Sequence, residues 1–212
     1  MKTKALLLIT ILSFCLSGSL FAMEEILFNH LGVKDGLSSN EITCILKDQK
    51  GFMWFGTTSG LNRFDGYEFS RYKPGDIDSF FVEEGISDLV ETADGKIWIT
   101  YYDGKIGVYE PSIDCFVPQE EVLDSLRLES LPARIFTDRD KRLYYTTYDN
   151  GFYRYDPSQG KVSLYPLDKA EGGVCGIGDV NDRLYVIHTS GKIQGIDKAS
   201  GKSVFQDDYL TA

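Results

Sequence analysis

Residues 42–72 read Ile42-Thr-Cys-Ile-Leu-Lys-Asp48, Gln49-Lys-Gly51, Phe52-Met-Trp-Phe-Gly-Thr57, Thr58-Ser-Gly60, Leu61-Asn-Arg-Phe-Asp-Gly66 and then Tyr67 to Tyr72. Four short runs rich in β-branched and aromatic residues alternate with turns that end on glycine. Such turns favour tight hairpins, because glycine and asparagine accept a positive φ at little cost. The pattern recurs three times. A second unit has Ile86 to Glu91, Lys96 to Thr100, Lys105 to Tyr109 and Cys115 to Val117. A third has Ala133 to Thr137, Leu143 to Thr147, Phe152 to Tyr155 and Lys161 to Tyr165. A fourth has Val174 to Ile177, Leu184 to Ile187, Lys192 to Ile196 and Lys202 to Phe205. Equivalent aromatics fall at Trp54, Trp98, Tyr144 and Tyr185, at spacings of 44, 46 and 41 residues. Turn glycines are expected at Gly60, Gly104, Gly151 and Gly191, at spacings of 44, 47 and 40. A period of about 44 residues with four strands per unit is the mark of a β-propeller blade.

The expected fold is therefore all-β: four β-propeller blades, over residues 42–80, 81–118, 131–168 and 169–206. Residues 119–130 form an insertion, in which Val122, Leu123 and Leu126 give Gln119 to Leu128 one short helical face. Residues 23–41 read as an entry strand, and 207–212 as a tail. A four-stranded sheet exposes two apolar faces that only a neighbouring sheet can cover, which assigns Trp54, Trp98, Tyr144 and Tyr185 to packing between blades.

Residues 1–22 stand apart. Lys2 and Lys4 precede an apolar run from Ala5 to Leu16, and Leu20-Phe21-Ala22 offers a cleavage site, which is the layout of a secretory signal peptide. The remaining cysteines, Cys44, Cys115 and Cys175, are odd in number, which argues against a disulfide framework. Cys44 and Cys175 lie in apolar stretches and read as buried small hydrophobes. The formal net charge of -10 disfavours a nucleic-acid partner, because an acidic surface repels phosphates.

The first unit also resembles a known family. Phe28-Asn-His-Leu31, Lys34-Asp-Gly-Leu-Ser-Ser-Asn40, Gly51-Phe-Met-Trp-Phe-Gly-Thr57 and Gly60-Leu-Asn-Arg-Phe-Asp-Gly66 are similar to the start of the periplasmic sensor region of Bacteroides-type hybrid two-component regulators with two-component regulator propeller repeats. The resemblance is dense from about residue 26 to 72, and the period continues to about residue 205. It implies a sensor of seven-bladed propellers, anchored in the inner membrane, that detects an oligosaccharide and signals as a homodimer through a histidine kinase phosphorelay. Four blades would then be an incomplete arc of a seven-bladed propeller. The partners implied are an oligosaccharide ligand and the remaining blades and signalling domains of the parent sensor. Ile26 to Phe28 would close the ring against a later blade.

The chain offers little for catalysis. Only two histidines exist, His30 and His188, and neither stands in a motif with a paired carboxylate. No zinc-ligand spacing and no Gly-x-Ser-x-Gly elbow appear, and no cofactor is expected. Gly172-Gly173 and Gly176-Ile-Gly178 lack the Lys-Ser/Thr of a phosphate loop and read as a tight entry into an innermost strand. Asp48, Asp94, Asp138, Asp140 and Asp182 recur at hairpin turns, where backbone capping explains them better than calcium. Binding is the more natural activity. The turns between the second and third strands share one face with the connections between blades, and they carry Tyr101, Tyr102, Asp103, Tyr148, Asp149, Asn150 and His188. Aromatic faces stack on the C–H faces of sugars, and Asp and Asn orient polar ligands. A propeller-type carbohydrate-active enzyme (lyase or glycosidase) and a protein-interaction scaffold are the alternatives, since the fold hosts all three.

Overall fold

A computed structural model of the chain describes residues 28–72, 85–117, 119–128, 132–147, 149, 151–167 and 172–208. The expected export segment, Ile26, Tyr148 and Asn150 lie outside the described residues. Residues up to His30 form a unit of their own, and the described strands all belong to the unit that begins at Leu31.

Among the described residues sixteen strands build four antiparallel sheets, each a simple meander. The first holds β1 (Ile42–Lys47), β2 (Met53–Thr57), β3 (Gly60–Phe64) and β4 (Phe69–Tyr72). The second holds β5 (Ile86–Glu91), β6 (Ile97–Tyr101), β7 (Ile106–Glu110) and β8 (Cys115–Val117). The third holds β9 (Arg134–Thr137), β10 (Leu143–Thr146), β11 (Phe152–Asp156) and β12 (Lys161–Tyr165). The fourth holds β13 (Val174–Val180), β14 (Arg183–His188), β15 (Lys192–Asp197) and β16 (Ser203–Asp208). The first strands of the four sheets, β1, β5, β9 and β13, lie side by side in that order. This is a run of β-propeller blades.

Strand alternation decides what each blade shows its neighbours. On β2, Trp54 and Gly56 face the second sheet while Met53 and Phe55 face away, as a period of two requires. Three cores result. Trp54 packs among Ile86, Ile97, Ile99 and Tyr109 of the second sheet. Trp98 packs among Ile135, Leu143 and Tyr145 of the third. Tyr144 packs among Leu184, Val186 and Ile196 of the fourth. Each of these aromatics is 4% exposed or less, so burying it contributes about 2–3 kcal/mol.

Each buried aromatic carries one polar atom that needs a partner, and the first hairpin turn supplies it. The Trp54 indole N–H donates to Asp48 Oδ2 at 2.8 Å, and Asp48 Oδ1 accepts the Phe52 amide at 2.9 Å. In the third sheet Tyr144 O–H donates to Asp138 Oδ2 at 3.2 Å, and Arg142 N–H to Asp138 Oδ1 at 3.0 Å. Thr92 takes this role for Trp98, at 3.3 Å. One carboxylate thus closes a turn with one oxygen and fixes the aromatic with the other.

Three expectations need correction. Tyr185 is not packed between blades. It is half-buried against Phe205 of its own sheet, at a ring-centroid distance of 5.7 Å. The reason is topological: its face is the one onto which a following sheet would dock, and Ile187 beside it is 38% exposed. Gly151 is not the turn glycine of the third unit. Thr147 N–H bonds to Gly151 O as Tyr101 N–H bonds to Lys105 O, so Gly151 holds the position of Lys105. Gly60, Gly104 and Gly191 have positive φ and Gly151 does not. Cys175 is exposed rather than buried, because the ladder of β13 slips between Val174 and Gly176 and leaves it without a strand partner. Cys44 is half-buried against the first core.

The helix α1 (Gln119–Leu126) forms as its apolar spacing predicts, two residues short of Leu128. Val122 and Leu126 enter the second core, and Arg127 turns the chain with a φ of 54°. At the other end of the run, residues 32–40 lie on the first sheet. Leu37 is buried, and the Asn62 side chain exchanges hydrogen bonds with Ser38, accepting from its N–H at 2.9 Å and donating to its Oγ. Arg71 reaches the carbonyls of Gly36 and Leu37. Among the described residues the lower part of that face stays open, with Ile45 56% exposed.

Candidate functional site

The turns after β2, β6, β10 and β14 lie at one mouth of the run, and the second of them opens on a cleft of about 510 Å³ between the second and third sheets. Its turn is built locally. Gly104 takes a φ of 84°, and its N–H bonds to Tyr101 O at 3.0 Å. Asp103 Oδ1 accepts the Lys105 amide at 2.9 Å, and its carboxylate also pairs with the Lys105 ammonium at 2.6 Å. Tyr102 N–H bonds to Gly85 O, which ties the turn to the chain entering β5.

Tyr102 is the exposed aromatic of the cleft, at 64%. Its ring lies over Gly85, where a Cβ would come within 2.5 Å of it. Gly85 is thus the seat of the ring. Tyr101, its neighbour, points the other way and is buried in the core between the first two sheets. Its role is structural, although its residue edges the cleft.

The floor comes from residues that sequence reasoning missed: Ser87 and Asp88 on β5, and Arg134 at the start of β9. The cause is a bulge. The β5 ladder slips between Ile86 and Asp88, as those of β1 and β13 do between Ile42 and Cys44 and between Val174 and Gly176. Bulges re-aim side chains and are frequent next to binding sites. The signal in the sequence is faint: two polar residues, Ser87-Asp88, interrupt an otherwise apolar first strand.

Burial among the floor atoms raises the Asp88 carboxyl above the ordinary carboxylate range, even though much of the residue reaches solvent. A hydrogen bond from Leu89 N–H and the charge of Arg134 act in the opposite sense. Arg134 Nη1 donates to Cys175 O of the fourth sheet at 3.0 Å. Among the described residues Asp88 and Arg134 feel each other's charge without closing an ion pair.

Of the other expected binding residues that the structure describes, neither Asp149 nor His188 lines this cleft. Asp149 is exposed in the third turn and accepts the Thr147 hydroxyl proton. His188 ends β14 and is 1% exposed, with neither ring nitrogen hydrogen-bonded among the described residues.

A larger cleft of about 920 Å³ opens at the opposite mouth, beside Lys198, Arg142 and Asp140. Among the described residues, three of the four cations that line it, Lys141, Arg142 and Lys198, are engaged in ion pairs. The Lys198 ammonium meets Asp179, Asp138 and Asp140, and Arg142 meets Asp138 and Asp140. Lys141 and Gln49 converge in the same way on Glu91, which ties the first three sheets together. These contacts stitch blade to blade, so the smaller cleft is the better candidate for a ligand.

Comparison with known proteins agrees with this architecture. Residues 36–59 match the family model described as "Two component regulator propeller". A 45-residue segment, 21% of this chain, is 44% identical to histidine kinase P4 of Formosa agariphila, of which it covers 3%. In structure the chain is similar to the extracellular domain of the hybrid two component system BT3049 of B. thetaiotaomicron, with a TM-score of 0.60 and 21% identity over 86% of this chain and 26% of that one. It is also similar to virginiamycin B lyase of Staphylococcus aureus, with a TM-score of 0.57 and 20% identity over 84% of this chain and 58% of that one. The structural likenesses show the fold. The chain spans about a quarter of the extracellular domain and a small fraction of the curated kinase. The first-unit resemblance to two-component regulator propellers therefore stands, and the fold is an open run of propeller blades.

Proposed function

We propose that this chain is part of the exported ligand-sensing region of a two-component sensor, that it has no catalytic role of its own, and that it takes an oligosaccharide at the cleft beside Tyr102. The observation that carries the reading is the exposed Tyr102 ring, seated on Gly85 above a floor of Asp88 and Arg134. An aromatic platform beside a carboxylate and a guanidinium is what a sugar ring needs: a face for its C–H bonds, and acceptors and donors for its hydroxyls. The regulator-propeller match supports sensing. The extracellular placement of the BT3049 domain supports export, and among the described residues no helix is long and apolar enough to cross a membrane. Ligand binding would act by shifting the population of two arrangements of a dimeric sensor, whose further blades, membrane anchor and kinase belong to the longer protein.

The test is calorimetric titration of the chain with oligosaccharides of defined composition, alongside Tyr102→Ala and an assay for product release. Saturable binding that Tyr102→Ala abolishes, with the sugar recovered intact, supports the reading. Turnover of the sugar would assign the chain to the carbohydrate-active enzymes instead.

A further inference from the structure

We propose that the cleft selects uncharged oligosaccharides, and that Asp88 and Arg134 are the residues that impose this choice by binding the same sugar from two sides. The inference rests on the ligand reading above and specifies its substrate class.

The charge balance of the cleft is the first argument. Three charged side chains line it, Asp88, Asp103 and Arg134. Asp103 is paired with Lys105 at 2.6 Å, which leaves one carboxylate and one guanidinium facing the ligand. A uronate or sulfated sugar would satisfy Arg134 only by placing its own anion near Asp88, and like charges at close range repel. A chain of net charge -10 adds long-range repulsion of any polyanion. A neutral polyol meets neither penalty.

The second argument is geometric. Asp88 on β5 and Arg134 on β9 belong to adjacent blades, and no direct ion pair among the described residues consumes them. Among the described residues Arg134 makes one side-chain hydrogen bond, from Nη1 to Cys175 O, which fixes the guanidinium and leaves its other N–H groups available. Asp88 Oδ1 accepts the Leu89 amide at 2.8 Å, which fixes the carboxylate and, among the described residues, leaves Oδ2 open. A sugar offers hydroxyl donors to the carboxylate and oxygen acceptors to the guanidinium at once. Charge-assisted hydrogen bonds of this kind are the strong ones, and they fix which hydroxyl goes where. Tyr102 then stacks on the ring these two residues hold. Asp88 and Arg134 touch the ligand directly, whereas Gly85 and Cys175 are positioning residues.

The experiment compares neutral trisaccharides of gluco, xylo, manno, arabino and galacto configuration with trigalacturonate, titrated calorimetrically into the chain. The variants are Asp88→Ala, Arg134→Ala and Arg134→Lys, each checked for an unchanged unfolding temperature. We expect a neutral trisaccharide to bind, trigalacturonate to bind at least about tenfold more weakly, and each alanine variant to lose about tenfold or more. Arg134→Lys should recover part of the loss, which a purely structural role would not produce. Trigalacturonate binding as tightly as the neutral sugars, or more so, would overturn the inference and leave the sensing reading intact. Neutral binding that both alanine variants retain would remove the pair from the site, again without touching that reading. Binding of no carbohydrate in either group would overturn both.

Discussion

Asp48 accepts the indole N–H of Trp54 at 2.8 Å, and Asp138 repeats the relationship with the hydroxyl of Tyr144 at 3.2 Å. Two different aromatics are thus held by the same carboxylate position, through donors of different chemistry. The turn and the core between blades are one device, so a polar substitution at the turn acts on the core.

Asp48→Ala strands both the Phe52 amide and the Trp54 indole N–H in a buried place. The expected cost is about 2–3 kcal/mol, read as a lower urea midpoint with an unchanged slope. A cost within error of zero would show that water replaces the carboxylate.

Tyr144 and Tyr185 occupy equivalent positions in unlike surroundings. Tyr144→Ala opens a cavity in the third core and should cost about 3–5 kcal/mol. Tyr185→Ala removes a half-exposed ring and should cost about 1 kcal/mol or less in this chain. In a longer chain that continues into a fifth blade, the second figure should rise towards the first. Equal costs in the present chain would mean that its fourth face is already covered.

Lys198 is 6% exposed among Asp179, Asp138 and Asp140. Lys198→Met leaves buried carboxylates without their cation and should cost about 3 kcal/mol, loosening the third blade from the fourth. Asp179 gives the same contact a pH dependence. Burial pushes its carboxyl up, but the Lys198 ammonium, the Arg139 amide and both charges hold it below the usual 3.8. A depressed carboxylate contributes stability that is full above its unfolded value and is lost as pH falls through the folded one. Unfolding temperature should therefore drop below about pH 4, and Asp179→Asn should flatten part of that drop. An unaltered acid profile in the variant would clear Asp179 of the effect.

Gly85→Ala pushes a Cβ to within 2.5 Å of the Tyr102 ring. Because the ring is free to swing at its exposed end, the fold should survive with a change of about 1 kcal/mol or less, while oligosaccharide affinity falls about tenfold. Retained affinity would show that the ring does not stack on the ligand.

Much of the architecture was legible because it repeats. Trp54, Trp98 and Tyr144 each appear at a fixed distance from a turn residue, and each is buried as the spacing implies. Tyr185 obeys the same spacing and is not buried, since a sequence repeat records a position and not whether the neighbour is there. The glycine register slips for a related reason: Gly151 has the composition of a turn glycine, but the Thr147 N–H to Gly151 O bond places it one residue further on, at the end of the turn just before β11. The spacings hinted at this, because the aromatics and the glycines disagreed by one residue around the third unit. Of the candidate site, the turn carrying Tyr102 and Asp103 was readable from its composition. Asp88 and Arg134 were not, because a bulge, rather than strand alternation, turns Asp88 to the floor, and Arg134 reaches it from a neighbouring blade.

The segment 32–40 that lies on the first sheet gives the molecule a direction. Its early side is partly sealed by its own residues, while on its late side Ile187 of the fourth sheet is exposed. A ribosome delivers the sealed side first, so each newly made sheet finds a finished surface waiting for it. At any instant of synthesis the adhesive surface is the youngest one. Growth of such a chain is a one-way accretion, and the danger of sticking to a stranger travels with its leading edge.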